Sequence, residues 1–247
     1  MPRIYTTSPL TTHTIITIDG NAGNHISRVL RLKTGDNITL FNGQGGEFSA
    51  TLTAIERKTV HAHIDRFDPQ ERESPLQITL AQGISRGERM DYTLQKSVEL
   101  GVNRIIPLAT ERCGVKFDAK REAKRLQHWQ GVVVSACEQC GRNRIPEVLP
   151  VLSLPTWLTD LQNDFDKNNQ LRLILAPQAT QTLRQLTPTT GELILLIGPE
   201  GGLSDREIAM SQQHEFQGVQ LGPRVLRTET AGVAALAALQ SHWGDMG

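Results

Sequence analysis

The spacing of apolar and polar residues changes near residue 75, and this change divides the chain into two regions. Before that point the pattern alternates over short stretches, which is typical of half-buried β-strands. These strands are predicted at 14–18, 38–41, 48–52 and 60–64. The middle two flank a glycine-rich turn and are predicted to form a hairpin. Closely spaced strands with glycine turns indicate a small β-barrel.

One helix is predicted within this first region. It begins at Asn24, a residue that favours the N-terminal cap position, and ends at Leu32. Its apolar side chains are expected to point inward at Ile26, Val29 and Leu30. Its polar side chains are expected to face solvent at His25, Arg28 and Arg31. The segment 67–75 is charged and contains two prolines, so we interpret it as a linker.

After this linker, stretches with the period of a strand alternate with stretches with the period of a helix. That alternation is typical of an α/β fold with a mostly parallel sheet. Strands are predicted at 78–80, 104–108, 171–175, 193–197 and 219–221. Helices are predicted at 88–100, 118–140, 155–165, 180–186, from 205 onward and at 231–240. The first of these helices buries Met90, Leu94 and Val98, and it stops at Gly101.

Two irregular loops near the C-terminus follow predicted strands. Residues 198–202 read GPEGG, and a capping box formed by Ser204 and Glu207 starts the next helix. Residues 222–230 read GPRVLRTET and precede the last helix. Loops at the carboxyl ends of parallel strands form ligand crevices, and glycines let a ligand approach the backbone.

The composition of the first loop limits the class of ligand. The chain has neither the P-loop pattern nor the dinucleotide-binding pattern of glycines after a strand. The loop carries a carboxylate, Glu200, which argues against a polyphosphate and favours a neutral or cationic ligand held by backbone groups. A Cβ at Gly198, Gly202 or Gly222 is expected to meet the ligand or the opposing loop.

The formal net charge is zero, which argues against a general polyanion binder. Residues 111–144 nevertheless hold eight Lys or Arg against four acidic residues. This local excess fits a folded RNA partner, although composition alone favours a solvated helix face with its own ion pairs. No apolar stretch is long enough to span a membrane, and the N-terminus lacks an apolar signal region, so we expect a soluble, cytoplasmic protein.

Cysteines and histidines are not expected to bind a metal. Cys137 and Cys140 form a C-x-x-C pair at the end of a predicted helix, but no second pair completes a zinc site. We interpret both as packed thiols. His61 and His63 share one face of a strand without a ligand pattern of carboxylates or cysteines, which favours surface histidines.

The two loops resemble a known family. IGPEGGLSDREI at 197–208 and LGPRVLRTETA at 221–231 are similar to the S-adenosylmethionine site of the SPOUT methyltransferases. The resemblance narrows to the RsmE-type enzymes, which methylate N3 of one uridine in the decoding region of 16S ribosomal RNA. The segments that carry this closer resemblance are 25–36, 41–48, 96–108 and 137–146. It implies a PUA-like RNA-binding barrel at 1–70 and a SPOUT methyltransferase domain at 71–247 with a C-terminal trefoil knot.

The resemblance implies a cofactor, S-adenosylmethionine, and the residues that bind it. These are Leu175, Ala176, Pro177, Ile197, Gly198, Pro199, Glu200, Gly201, Gly202, Leu221, Gly222, Val225, Leu226, Arg227, Thr228 and Thr230. Glu200 either contacts an amino group of the methyl donor or holds its own loop, and the second role is favoured.

The same loops supply the candidate catalytic residues. Arg227 or Arg224 is expected to stabilise the uracil oxygens, and Glu229 to position or accept the N3 proton. The alternative for Glu229 is structural: Thr228 or Thr230 caps the last helix, and Glu229 sits in its first turn, where the helix dipole favours an acid.

The implied partner is 16S ribosomal RNA, within the 30S subunit. Candidate RNA contacts are Arg3, Tyr5, Arg28, Arg31, Arg86, Arg142 and Arg144. For the first four the alternative is an ordinary surface residue, and the last two are expected to reach RNA held by the partner subunit of a dimer. The small-residue helix at 231–239 favours close helix packing, and the resemblance implies that it lies near the interface of a homodimer. Two other functions compete: a non-catalytic RNA-binding factor in ribosome assembly, and an α/β enzyme acting on a small nucleotide.

Overall fold

The computed structural model describes residues 1–56, 59–114, 119–162, 169–188 and 191–247. The chain divides into two compact units. The smaller unit consists of Met1–Glu73 and Val134–Ile145, and the larger unit of Ser74–Val133 and Pro146–Gly247. The domain boundary between residues 70 and 71 stays a prediction.

A five-stranded sheet forms most of the smaller unit. Its strands are β1 (Arg3–Tyr5), β2 (Ile15–Ile18), β3 (Asn37–Phe41), β4 (Glu47–Ile55) and β5 (Val60–Asp68). The order is β1-β3-β4-β5-β2, with β1 parallel to β3 and the other neighbours antiparallel. The alternating side chains of these strands build one apolar core, which confirms the strand pattern of the sequence. The sequence did not predict β1.

The helical piece of this unit differs from the prediction. An α-helix, α1 (Gly20–Asn24), is followed by a π-helix (His25–Val29). The Leu30 N–H donates to the His25 carbonyl at 2.9 Å, a step of five residues that rotates the following side chains. Ile26 is buried as predicted, but Val29 is 68% exposed, so its predicted inward position is wrong. The linker prediction also began too early, because β5 continues to Asp68.

The larger unit contains a sheet of eight strands. They are β6 (Gln77–Gly83), β7 (Arg104–Ala109), β8 (Glu147–Val148), β9 (Leu152–Ser153), β10 (Gln170–Leu175), β11 (Gln181–Thr182), β12 (Glu192–Ile197) and β13 (Gln217–Gln220). The order is β11-β13-β10-β12-β6-β7-β8, and β9 also pairs with β7. All pairs between described strands are parallel, as predicted.

Five helices follow or precede these strands. They are α2 (Glu88–Glu99), α3 (Ala119–Cys140), α4 (Leu154–Gln162), α5 (Asp205–Gln213) and α6 (Thr228–Trp243). The predicted burial of α2 and its stop at Gly101, with φ of 81°, are confirmed. The helix predicted at 180–186 is wrong: β11 and a 3-10 turn (Leu183–Gln185) occupy that stretch. The predicted helix ends at Asp118 and Phe165 lie outside the described residues.

Parallel pairing places the carboxyl ends of β10, β12 and β13 at one edge of the sheet. The connections after these strands therefore meet there, as expected for a ligand crevice. Among the helices in the described part of the chain, none combines the length and apolarity that crossing a membrane requires.

Candidate functional site

A cavity of about 670 Å³ lies at this edge of the larger sheet. Three connections line it: the segment after β10, the glycine loop (residues 198–202) after β12, and the arginine loop (residues 222–227) before α6. The structure brings together fifteen of the sixteen predicted cofactor-binding residues around this cavity. The exception is Thr230, which is exposed and does not line it.

The glycine loop makes close approaches that require its small residues. The Gly202 N–H donates to the Pro199 carbonyl at 2.8 Å and closes a turn. A Cβ on Gly198 would come within 2.8 Å of the Leu203 nitrogen, inside the loop itself. A Cβ on Gly83, at the end of β6, would come within 2.6 Å of Pro199. The loop is therefore packed tightly against the end of β6.

Gly202 and Gly222 have a different reason to be glycine. A Cβ on either would meet no protein atom within 4 Å, but their φ angles are 68° and 86°. Residues with a Cβ rarely adopt such angles. A Cβ at these two sites would not meet the opposing loop, so that half of the expectation is wrong, and contact with a ligand stays a prediction. Both glycines line the cavity.

Polar groups from β6 and α6 hold the base of the glycine loop. The Thr228 hydroxyl donates to the Gly198 carbonyl at 2.6 Å and accepts from Gln82 Nε2 at 2.9 Å. Gln82 is fully buried, and its Oε1 has no hydrogen-bond partner among the described residues. The prediction that Thr228 or Thr230 caps the last helix is wrong, because Arg227 holds the cap position without a side-chain bond.

Glu200 holds its own loop, which is the favoured one of the two predicted roles. Its Oε1 accepts from the Arg86 N–H at 2.8 Å and from Arg89 Nη1 at 3.0 Å. Partial burial acts to raise the pKa of Glu200, but the hydrogen bonds from Arg86 and Arg89 outweigh it and hold this pKa below the usual value. The carboxylate is thereby fixed in its charged form.

Two arginines of the cavity wall were missed by sequence reasoning. Arg112 Nη1 donates to the carbonyls of Gly201 and Leu203 at 3.2 and 3.3 Å. Arg89 pairs with Glu200 and also lies near Glu229. Both residues lie about 90 or more positions from their partners in the sequence, and no local pattern marks them.

The candidate catalytic residues all line the cavity. Glu229 lies in the first turn of α6, as predicted, and its side chain is 16% exposed. Its Oε2 is buried without a hydrogen-bond partner among the described residues, and its Oε1 lies 3.8 Å from Arg89 Nε. Arg224 and Arg227 are exposed, and neither forms an ion pair within the described ranges.

Two of the predicted RNA contacts are used inside the smaller unit. Arg142 is buried and its Nε donates to both oxygens of Glu73 at 3.2 and 3.1 Å. Arg3 pairs with Glu47, donates to Asn143 Oδ1 at 2.6 Å, and lies over the Phe41 ring. These contacts occupy both guanidinium groups, and they argue against Arg3 and Arg142 as RNA contacts.

The other predicted RNA contacts differ in exposure. Arg28, Arg31 and Arg86 are exposed, and Arg144 is exposed beside Glu71 at 3.4 Å. Tyr5 is partly buried, and its N–H donates to Glu138 Oε1 at 3.0 Å. The exposed four stay as predicted candidates for RNA contact.

The described Cys137 and His63 have partners or packing within the protein. Cys137 is a packed thiol whose pKa is raised to about 12 by burial. His63 bonds to Asp65 at 2.8 Å, and this bond lowers the pKa of Asp65. No group of three or more potential metal ligands occurs in the part of the chain that the structure describes.

Known families and relatives match nearly the whole chain. A family model for an RNA methyltransferase domain matches residues 72–240, and one for an RNA methyltransferase PUA domain matches residues 18–65. The ribosomal RNA small subunit methyltransferase E of Buchnera aphidicola (from Schizaphis graminum) is 39% identical over 100% of this chain and 98% of its own. The Bacillus subtilis protein of that name is 31% identical over 90% and 88%.

Solved structures share the fold. A ribosomal RNA small subunit methyltransferase E from Neisseria gonorrhoeae, bound to S-adenosyl methionine, has a TM-score of 0.91 and 42% identity over 100% of both chains. A Legionella pneumophila protein in complex with the same cofactor has a TM-score of 0.92 and 43% identity over 98% of both chains. With the methyltransferase family model covering more than half of its length, this chain belongs to the RsmE-type family of ribosomal RNA small subunit methyltransferases.

Proposed function

We propose that the chain transfers a methyl group from S-adenosylmethionine to N3 of one uridine in the decoding region of 16S ribosomal RNA. The observation that carries this proposal is the cavity between the glycine loop and the arginine loop, which is lined by fifteen of the sixteen expected cofactor residues. Two solved structures of similar proteins contain bound S-adenosylmethionine and share this fold, and they support the proposal.

The residues of the cavity fit the cofactor. Leu175, Ile197, Val219 and Leu226 offer apolar surface to an adenine ring, and carbonyl and amide groups of the loops offer hydrogen bonds. The open space beside Gly202 and Gly222 admits a ligand close to the backbone. When bound, the cofactor supplies an electrophilic methyl group.

The protein's own residues must then prepare the uracil. Its N3–H is a weak acid, so a base must take the proton, and charge appears on the ring oxygens. The Glu229 side chain lines the cavity, and no described residue donates a hydrogen bond to its Oε2, so the carboxylate keeps its capacity to accept a proton. Arg227 or Arg224 can donate to the uracil oxygens, because both are exposed at the cavity.

The RNA is bound, in this proposal, as part of the 30S subunit in the cytoplasm, and the enzyme acts as a homodimer with a trefoil knot in its methyltransferase domain. The PUA family match over 18–65 supports an RNA-binding role for the smaller unit. Arg28, Arg31 and Arg144, which are exposed there, are the proposed contacts, and Arg86 is the proposed contact in the larger unit.

The test combines cofactor binding with mapping of the product. We expect calorimetry to show that the protein binds S-adenosylmethionine. We also expect 30S subunits from cells lacking the protein to gain one 3-methyluridine when they are incubated with the protein and the cofactor. Mass spectrometry of the 16S RNA locates the modified base. Failure to bind the cofactor overturns the proposal. RNA binding without cofactor binding favours the non-catalytic RNA-binding factor instead.

The role of Glu229 has its own test. We expect Glu229→Gln to reduce turnover by about 100-fold or more, the range for loss of a general base. Glu147→Gln is the matched control, since Glu147 is an exposed carboxylate outside the cavity. Near-normal turnover of Glu229→Gln with an unchanged pH dependence rules out the base role and leaves the helix-dipole alternative.

A further inference from the structure

Arg89 of α2 lies between two carboxylates of the cavity wall. Its Nη1 donates to Glu200 Oε1 at 3.0 Å, and its Nε lies 3.8 Å from Glu229 Oε1. The guanidinium thus joins the glycine loop to the first turn of α6. Within the described ranges, Arg89 is the one cation that pairs with Glu229. Its position therefore bears on how that carboxylate is aimed.

The backbone before α2 brings Arg89 to this place. At Gly83 the end of β6 runs beside Pro199 so closely that a Cβ would lie 2.6 Å from the ring. Gly87, the N-cap of α2, has φ of 57° and ψ of −137°, a conformation open to glycine. The turn between them presents the Arg86 N–H to Glu200 at 2.8 Å and starts α2 directly over the glycine loop.

Packing of α2 against α6 sets the position of the second carboxylate. A Cβ on Gly232 would lie in van der Waals contact with Thr93 Cγ2, at 3.6 Å, so Thr93 of α2 packs on α6 at this glycine. Arg89 is four residues before Thr93, and Glu229 is three residues before Gly232, so both lie on the facing sides of their helices. Thr93 Oγ1 also donates to the Arg89 carbonyl at 2.9 Å. The pair of Arg89 and Glu229 thus follows from the packing of α2 on α6.

We propose that Arg89 is a positioning residue that aims Glu229 at the reacting base and couples it to the glycine loop through Glu200. This inference rests on the proposed function. Because one guanidinium holds both carboxylates, its loss frees Glu229 to turn and loosens the loop that binds the cofactor. Arg89 thereby links occupancy of the cofactor site to readiness of the proton acceptor.

The first test compares Arg89→Met, which keeps much of the side-chain length, with Arg89→Lys, which keeps the charge. We expect Arg89→Met to lower kcat about 10-fold with the KM for 30S subunits changed less than about twofold, the signature of a lost transition-state contribution. Arg89→Lys should recover part of kcat, because an ammonium pairs with one carboxylate at a time. Arg206→Met, an exposed arginine outside the cavity, should retain full activity.

A double-mutant cycle then separates positioning from general damage. In the Glu229→Gln background we expect Arg89→Met to lower the residual kcat by less than about twofold, because the residue that it positions is already disabled. An equal loss of kcat in both backgrounds overturns the inference. That result would leave the proposed function intact, because the wild-type protein would still methylate its RNA.

A double-mutant cycle of melting temperatures, with the same variants of Arg89 and Glu229, tests the inference even if no methylation is found. The proposed function fails in that event, but the coupling of Arg89 to Glu229 still predicts that the melting-temperature shifts of the two single variants do not add in the double variant. Additive shifts show that the two side chains are independent, and they overturn the inference on structural grounds.

Discussion

Side-chain hydrogen bonds hold most residues of the glycine loop in place, whereas the arginine loop has no such bonds among the described residues. Thr228 and Gln82 hold Gly198, Arg86 and Arg89 hold Glu200, and Arg112 holds Gly201. In the arginine loop, by contrast, side chains of the described residues form no hydrogen bond, and Pro223, Arg224, Val225 and Arg227 are all exposed.

The difference suggests two separate tasks for the two walls of one cavity. A wall fixed by buried hydrogen bonds presents the same backbone groups in every turnover, which suits a small cofactor. The arginine loop lends Gly222 and Leu226 to the cofactor site, and its exposed arginine side chains can adjust to a large partner, which suits RNA. Substitutions in the two walls should therefore affect cofactor binding and turnover to different extents.

The largest expected effect is in the arginine loop. We expect Arg227→Ala to lower kcat about 100-fold, as for the loss of one donor to a developing oxyanion. Its affinity for S-adenosylmethionine and its melting temperature should stay close to those of the wild type, because the side chain is exposed.

Arg224→Ala is the comparison, measured in the same single-turnover methylation of 30S subunits. The variant with the larger loss identifies the arginine that faces the uracil oxygens. A loss of cofactor affinity equal to the loss of kcat in both variants contradicts the division of tasks between the walls.

The next effect is in the support of the glycine loop. We expect Thr228→Val to destabilise the protein by about 2 kcal/mol, because it removes the donor at 2.6 Å from the part-buried Gly198 carbonyl and the acceptor at 2.9 Å from the buried Gln82 amide. Cofactor affinity should fall with it. Chemical denaturation and calorimetry measure the two effects.

Thr230→Val is the matched control, two residues on in the same helix and exposed. We expect a change within about 0.5 kcal/mol there, as for most surface substitutions. Equal costs at both positions would show that the Thr228 hydroxyl does not support the loop.

A smaller effect is expected at the outer side of the glycine loop. Arg112→Met removes the bonds to the Gly201 and Leu203 carbonyls, and the exposed location limits the loss of binding energy to about 1 kcal/mol, or about fivefold in cofactor affinity. Titration calorimetry measures it, with Arg206→Met as the control. Unchanged affinity would mean that the loop keeps its shape without Arg112.

The smallest effect concerns pH. Because the folded pKa of Glu200 is depressed, its contribution to stability is present above the usual glutamate value of 4.5 and is lost as the pH falls through the folded pKa. We expect Glu200→Gln to be less stable than the wild type at pH 7 by less than about 1 kcal/mol, as for partly exposed pairs. The difference should shrink below pH 4.5 in urea melts; a difference that is constant with pH contradicts the assignment.

Local signals explain the parts of the fold that the sequence predicted. The capping box of Ser204 and Glu207 correctly predicts that α5 begins at Asp205. The apolar run of β12 is explained by its position in the centre of the sheet. The strand β1 was not predicted because three residues are too few to show an alternation of apolar and polar side chains. The π-helix was not predicted because its residues have the same composition as those of an α-helix. Its hydrogen bonds span five residues instead of four, and this change leaves Val29 exposed.

The sequence predicted the loops of the site, but it did not predict the distant side chains that hold these loops in place. Glycines mark the glycine loop because they are adjacent in sequence, whereas Arg89 and Arg112 reach it from distant positions. Arg3 and Arg142 show the converse limit. A sequence cannot tell an exposed arginine from one that is neutralised by an acid folded against it, as Glu47 and Glu73 are here.

The approach of Gly83 to Pro199 limits how this enzyme can diversify. A single methyl group at position 83 does not fit, since it would lie 2.6 Å from the proline ring. The place of the glycine loop over the end of β6 is thus set by the contact of Gly83 with Pro199 and the Gly198 main chain, and a larger residue at position 83 would displace that loop. A new substrate preference would have to arise through the opposite, solvent-facing rim, where residues can be replaced one at a time.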